Sequence, residues 1–143
     1  MAAKSNALDG QLLALLFNGA TIAGLAQNAT SAPVTALYLS LHTASPGPAG
    51  NQSTSEAAYP GYARQAVPRT TAGFAVTGES VALAANVTFP TATGGSETET
   101  YFAVGTSATG TGEILYFGPI VPTVAVYLNI TPVMTTGTTI TES

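Results

Sequence analysis

From Pro33 to the C-terminus the chain is a succession of short runs rich in Val, Thr, Leu, Phe and Tyr, broken every few residues by Gly, Pro, Asn or Ser. Runs of this length cannot sustain a helical stripe, and their spacing is the pattern of an all-β sandwich or barrel. The expected strands are Val34 to Thr43, Tyr62 to Val67, Phe74 to Thr77, Ser80 to Leu83, Asn86 to Phe89, Thr98 to Gly105, Glu113 to Phe117 and Thr123 to Asn129. Thr138 to Thr141 is a further edge piece. Leu37, Leu39 and Leu41 alternate with Tyr38, Ser40 and His42, and Tyr101 and Ala103 with Phe102 and Val104, so the sheet is packed on at least one face. Gly94-Gly95-Ser96, Ala108 to Gly112 and Thr135-Thr136-Gly137 read as hairpin turns.

One helix precedes the strands. Leu8, Leu12, Leu15 and Leu16 fall on one face between Ser5 and Asn18, with Ser5 or Asn6 to cap the first amides, Asp9 near the positive end of the dipole and Asn18-Gly19 to end the helix. Residues Gln11 to Ala26 carry no charge, and with Lys4 upstream and small residues at Ala26 to Ala29 a cleaved leader is a competing reading. A membrane span is not expected, because Asn18, Gly19 and Gly24 interrupt the segment well before the ~20 apolar residues that a span requires.

With 143 residues the expectation is a single domain over 1–143: a helix at about 5–18, a β-sandwich or jelly-roll-like domain of about eight strands at about 33–143, and a long loop at 44–61. That loop is rich in Pro, Gly and hydroxyl side chains, has Glu56 as its sole charge, and is of the length that function or a partner usually orders.

Composition narrows the function. Only 7% of residues are charged, against ~25% in ordinary soluble proteins, so hydroxyls must supply the polar surface and association in an oligomer is expected. Lys4, Arg64 and Arg69 are too few cations to neutralise a phosphate backbone, so nucleic acid is not an expected partner. Without cysteine there is no disulfide framework and no thiolate metal site.

No catalytic, cofactor or metal residues are assigned. His42 is the only histidine and reads as a strand-end polar side chain, and a triad assembled with Asp9 and a serine lacks a Gly-x-Ser-x-Gly elbow. Glu97 and Glu99 share a strand face, which by default is solvated. The Asn-x-Ser/Thr triplets at Asn28, Asn51, Asn86 and Asn129 are of the kind that a Ser- and Thr-rich chain acquires by chance. Of the tyrosines Tyr38, Tyr59, Tyr62, Tyr101, Tyr116 and Tyr127, a large apolar ring with a polar tip suits some for a contact surface. The expected partner interface is Tyr59, Tyr62, Arg64, Tyr116 and Tyr127. Arg64 lies mid-strand and requires a carboxylate or carbonyls if buried, with Glu56 and Glu79 as the candidates.

Two segments carry a resemblance: Leu37-Tyr38-Leu39-Ser40-Leu41-His42-Thr43-Ala44-Ser45-Pro46-Gly47 and Tyr59-Pro60-Gly61-Tyr62-Ala63-Arg64-Gln65-Ala66-Val67. Together with the Leu-rich helix, Val87-Thr88-Phe89-Pro90, Tyr101-Phe102-Ala103-Val104-Gly105 and Gly112-Glu113-Ile114-Leu115-Tyr116-Phe117-Gly118, they resemble a family of small tailed-phage virion proteins of the tail-fibre-like or head-decoration kind. Ser45 stands where that family commonly has an acid before Pro-Gly, though serine can also cap a turn.

The resemblance implies a virion structural protein on the capsid surface or tail, made in the host cytoplasm. The leading expectation is a capsid decoration or cement protein acting as a symmetric homo-oligomer, with a trimer as the guess, on the major capsid protein or other virion subunits. The alternative is a tail-fibre or tail-tip module binding a host surface receptor. A secreted enzyme or adhesin ranks third.

Overall fold

The computed structural model describes residues 5–22 and 33–141. The expected Lys4 flank and the Ala26 to Ala29 segment lie outside these residues. Described elements are one helix, α1 (Asn6–Asn18), and the strands β1 (Ala36–His42), β2 (Gln65–Pro68), β3 (Phe74–Thr77), β4 (Ser80–Leu83), β5 (Val87–Thr88), β6 (Ser96–Gly105), β7 (Ile114–Tyr127), β8 (Val133–Met134) and β9 (Thr139–Thr141). The protein is all-β with an N-terminal helix. Its strands form a four-stranded sheet in the order β2-β1-β6-β7, a three-stranded sheet β3-β4-β9 and a two-stranded sheet β5-β8. The chain divides into two compact units: 1–36, 67–86 and 135–143 in the first, and 37–66 and 87–134 in the second.

In the first unit α1 packs on the antiparallel β3–β4 hairpin, which β9 extends. Ser5 caps α1 by accepting from the Leu8 N–H at 3.3 Å, and Gly19 closes it in the left-handed conformation at φ 64°. The fully buried line of α1 is Asp9, Leu13 and Phe17, with the expected Leu8, Leu12, Leu15 and Leu16 half-buried on either side. The stripe is therefore rotated from the leucine row, because Phe17 sets the orientation by meeting Phe74 edge to face at 4.9 Å. No basic residue occupies the last turn, and Arg69 takes that role by donating to the carbonyls of Leu15 and Leu16.

In the second unit β1, β6 and β7 run antiparallel. From Leu39 to His42 the strand β1 is buried on both faces, since the long loop covers the face that alternation alone would leave open. Glu113 to Phe117 and Thr123 to Asn129, expected as separate strands, are one 14-residue strand, β7. Gly118 and Pro119 read as breakers, but β7 is an edge strand with only β6 beside it, and an edge tolerates proline. Its irregularity is an enlarged bulge in which four residues, Ile120 to Thr123, stand opposite the single Thr100.

Of the expected hairpin turns, Ala108 to Gly112 does join paired strands, β6 and β7. Gly94-Gly95-Ser96 and Thr135-Thr136-Gly137 link strands that pair elsewhere, β5 with β8 and β4 with β9. Glycine specifies the turn, and the strand partners are set by packing.

Candidate functional site: a buried clamp beneath the long loop

The loop between β1 and β2 is built from local turns. Ser45 Oγ accepts from the Gly47 N–H at 3.3 Å, so serine does cap this turn without an acid. Gly50 N–H returns to the Gly47 carbonyl at 3.1 Å, and Asn51 Oδ1 accepts from Ser53 N–H at 2.9 Å. The chain then pairs with the end of β1. Thr43 N–H donates to Ser55 and Ala57 N–H to the Leu41 carbonyl, each at 2.9 Å, which sets Glu56 across from His42.

Arg64, one of three cations, is buried with its side chain 2% exposed. Its Nε and Nη2 donate to the two oxygens of Glu56 at 2.6 and 2.7 Å, the parallel fork that guanidinium and carboxylate geometry favours. Nη1 donates to the Ser107 carbonyl at 3.0 Å and Nη2 to that of Gly110 at 2.6 Å. One side chain thereby joins the long loop to the β6–β7 turn. Of the two carboxylates proposed for it, Glu56 is the partner.

Tyr62 O–H donates to Glu56 Oε1 at 3.1 Å and accepts from the Leu41 N–H at 3.1 Å. Burial and the neighbouring Glu56 carboxylate push its phenol well above the usual tyrosine range.

Gln52, unremarked in the sequence, is completely buried. Its backbone N–H donates to Gly112 and its Oε1 accepts from Ser107 N–H, both at 2.9 Å, while Nε2 donates to the Tyr38 carbonyl at 3.4 Å. A Cβ on Gly105 would lie 2.2 Å from its Cδ, and one on Gly112 2.2 Å from its Oε1. The amide fits only because glycine backbone lines its slot. Ser53 Oγ adds a bond to the Gly110 carbonyl at 2.8 Å.

His42, the last residue of β1 as its reading as a strand-end polar group expects, is fully buried. The Thr54 carbonyl, at 2.9 Å, can only accept, so Nδ1 carries the proton and Nε2, 2.9 Å from Ser40 Oγ, accepts from that hydroxyl. Burial holds the imidazole below its ordinary pKa and so neutral. Although the atoms are ordered as a nucleophile, a base and an orienting acceptor, both Ser40 and His42 are 0% exposed, and the pair ties the loop to β1.

The five residues expected at a partner surface have different positions. Tyr59 is buried, its O–H donating to the Pro90 carbonyl at 3.0 Å, and it meets Tyr62 edge to face at 5.3 Å. Burial, with Glu99 and Glu97 nearby, pushes its phenol up to about 12. Tyr62 and Arg64 belong to the clamp. Tyr116 is half-buried opposite Val104, and Tyr127, opposite Ser96, is exposed. Glu97 and Glu99 do not form a solvated strand face either, since Glu99 is fully buried.

Above the clamp lies a depression of about 240 Å³ whose walls include Ala57, Ala63, Ala108, Thr109 and Gly110. Arg64 and Glu56 satisfy each other at its floor, so its outer wall offers small side chains and backbone. Among the described residues no group of three or more His, Cys, Asp or Glu is placed to hold a metal, and no helix is long and apolar enough to cross a membrane.

Comparison with curated proteins finds no match. A family model described as Podophage GP4 fiber I protein gp80 matches residues 3–137, spanning α1, both sheets of the second unit and the whole of the clamp. The strands and loop that carry the clamp are thus the body of the match, and the chain belongs to this family of phage fibre proteins.

Proposed function

We propose that the chain is a receptor-binding fibre module of a tailed-phage virion, in which the loop 44–61 and the β6–β7 turn form one rigid contact platform. The observation that carries this reading is the Arg64 clamp. Four hydrogen bonds from one buried guanidinium, beside those of Gln52 and Ser53, fix the two loops to each other. Loops ordered before contact give up less entropy on binding, and loops on a rigid sheet are where recognition usually resides. The fibre family supports a location on the virion. The role is mechanical and adhesive, without catalysis, and the partners are virion subunits on one side and a host surface on the other.

Binding of the purified full chain to host envelopes and to phage heads, measured side by side, tests the proposal. Thr109→Arg places a charge on the exposed wall of the depression and leaves every clamp bond in place. Envelope binding by the parent chain, lost in Thr109→Arg without loss of folding, is the expected result.

Capsid decoration as a symmetric oligomer is the second reading, favoured by the exposure of Val121 (87%), Leu128 and Tyr127 in a chain with so little charge. Stoichiometric binding to heads with none to envelopes would replace the fibre reading with it.

A further inference from the structure

Glu97 and Glu99 form a second polar cluster in the same unit, on one face of β6. Glu99 is 0% exposed and neither of its oxygens meets a hydrogen-bond donor in the protein. Glu97 Oε1 accepts from two backbone amides, Ala58 N–H at 2.9 Å and Tyr59 N–H at 2.8 Å, and so holds the C-terminal part of the long loop. Across β7 the partners of the two acids are Val126 and Val124, which carry no charge. From the loop Tyr59 faces them, and at the end of β1 the buried, neutral His42 stands opposite Tyr101, two residues along the same face of β6.

Two neighbouring carboxylates on one strand face, one of them fully buried, cannot both ionise cheaply. Glu97 already serves two amides, whereas Glu99 has no donor to stabilise a negative charge. As an acid, Glu99 would have Glu97, two residues along the same strand face, as its neighbouring acceptor.

We propose that Glu97 and Glu99 share one proton and act as a latch that fastens the long loop at Ala58 and Tyr59 to β6, and that opens when the proton leaves. Burial first, and then Glu97, push the Glu99 carboxyl up to about 8. A carboxyl whose folded pKa lies above its unfolded one supports the folded state fully at low pH and loses that support as pH rises through the folded value. The latch is therefore firmest in acid, loosens as pH climbs from the ordinary carboxyl range, and has lost the proton's support once pH passes about 8. A divalent cation between the carboxylates is the rival occupant.

Hydrogen-exchange protection of the Ala58 and Tyr59 amides, corrected for the intrinsic pH dependence of exchange, reads the latch in the full chain. Between pH 7 and pH 9 protection should fall about tenfold in the parent chain. Glu99→Gln, an isostere of the acid form, should keep it constant. Protection that does not change with pH in the parent, or that falls equally in Glu99→Gln, overturns the proposal. Protection restored at pH 9 by calcium or magnesium also overturns it, in favour of a cation. Should Glu99→Gln fail to fold, carboxyl carbon NMR of the parent decides: titration of Glu99 below pH 6 refutes the shared proton and titration above pH 7 supports it. None of these readouts involves host or head binding, so the latch and the fibre reading fail independently.

Discussion

Arg64 satisfies two carboxylate oxygens and two carbonyls from a position with almost no solvent to replace them. Removing one member of such a pair strands the other, and Arg64→Ala should cost about 3 kcal/mol in urea unfolding. Arg64→Lys should recover only part of this, since a single ammonium cannot fork onto Glu56 and also reach both carbonyls. The need for a partner was legible from an arginine placed mid-strand in a chain with few charges. The burial of Glu99 was not, because paired acids on a strand are ordinarily solvated, and the signal to weigh was the charge-free strand opposite. His42 and Glu99 also give stability a definite pH profile. His42, with its pKa lowered from 6.5, binds its proton more readily unfolded, so its contribution is present above pH 6.5 and is lost as pH falls below it. Glu99, raised from 4.5 to about 8, acts in the opposite sense as pH rises through that window. Between pH 6.5 and 8 Glu99 is the one of the two that still titrates, so chemical unfolding there should show stability declining with pH, with a slope of at most about 1.4 kcal/mol per unit. Glu99→Gln should remove that slope.

Among the elements, α1 shows how periodicity can give the right helix and a displaced face. Ser5, Asn18 and Gly19 mark its ends, but leucine spacing alone favours the Leu8 and Leu12 side, and the position of Phe17 against Phe74 rotates the buried line onto Leu13. Leu13→Ala should cost about 3 kcal/mol, and Leu12→Ala, on a half-buried position, clearly less, by thermal or urea unfolding. For β7, residues Gly118 and Pro119 divided one strand into two in the sequence, because local breakers are visible there and edge position is not. The slot for Gln52 belongs to the loop and the β6–β7 turn together. Gly105→Ala drives a methyl into the buried amide and should destabilise by about 1–3 kcal/mol. Gly105→Ala combined with Gln52→Ala should cost less than the sum of the two single changes, which a double-mutant cycle measures. Nothing in local sequence announces such a slot, since it joins residues about fifty positions apart.

For the molecule as a whole, the turn-punctuated strands sufficed to indicate an all-β protein, and the segments from Leu37 to Gly47 and Tyr59 to Val67 carried the resemblance that implied a phage virion family. The contact surface was harder to read. Tyrosine content pointed to Tyr59 and Tyr62 as well as Tyr127, yet the first two hold the interior together and only Tyr127 is exposed. If apolar exposure drives association, Val121→Asp, at 87% exposure, should lower the mass measured by light scattering while leaving the melting temperature within a few degrees. The long loop also divides into parts of unequal duty. Gln52, Ser53, Glu56 and the chain beyond are bound to the sheet, whereas Pro48 and Ala49 sit at an exposed tip whose turn closes only on itself, from Gly50 to Gly47. The tip is thus a natural splice point: a foreign epitope inserted between Pro48 and Ala49 would be carried outward on an undisturbed scaffold, turning the fibre into a display vehicle.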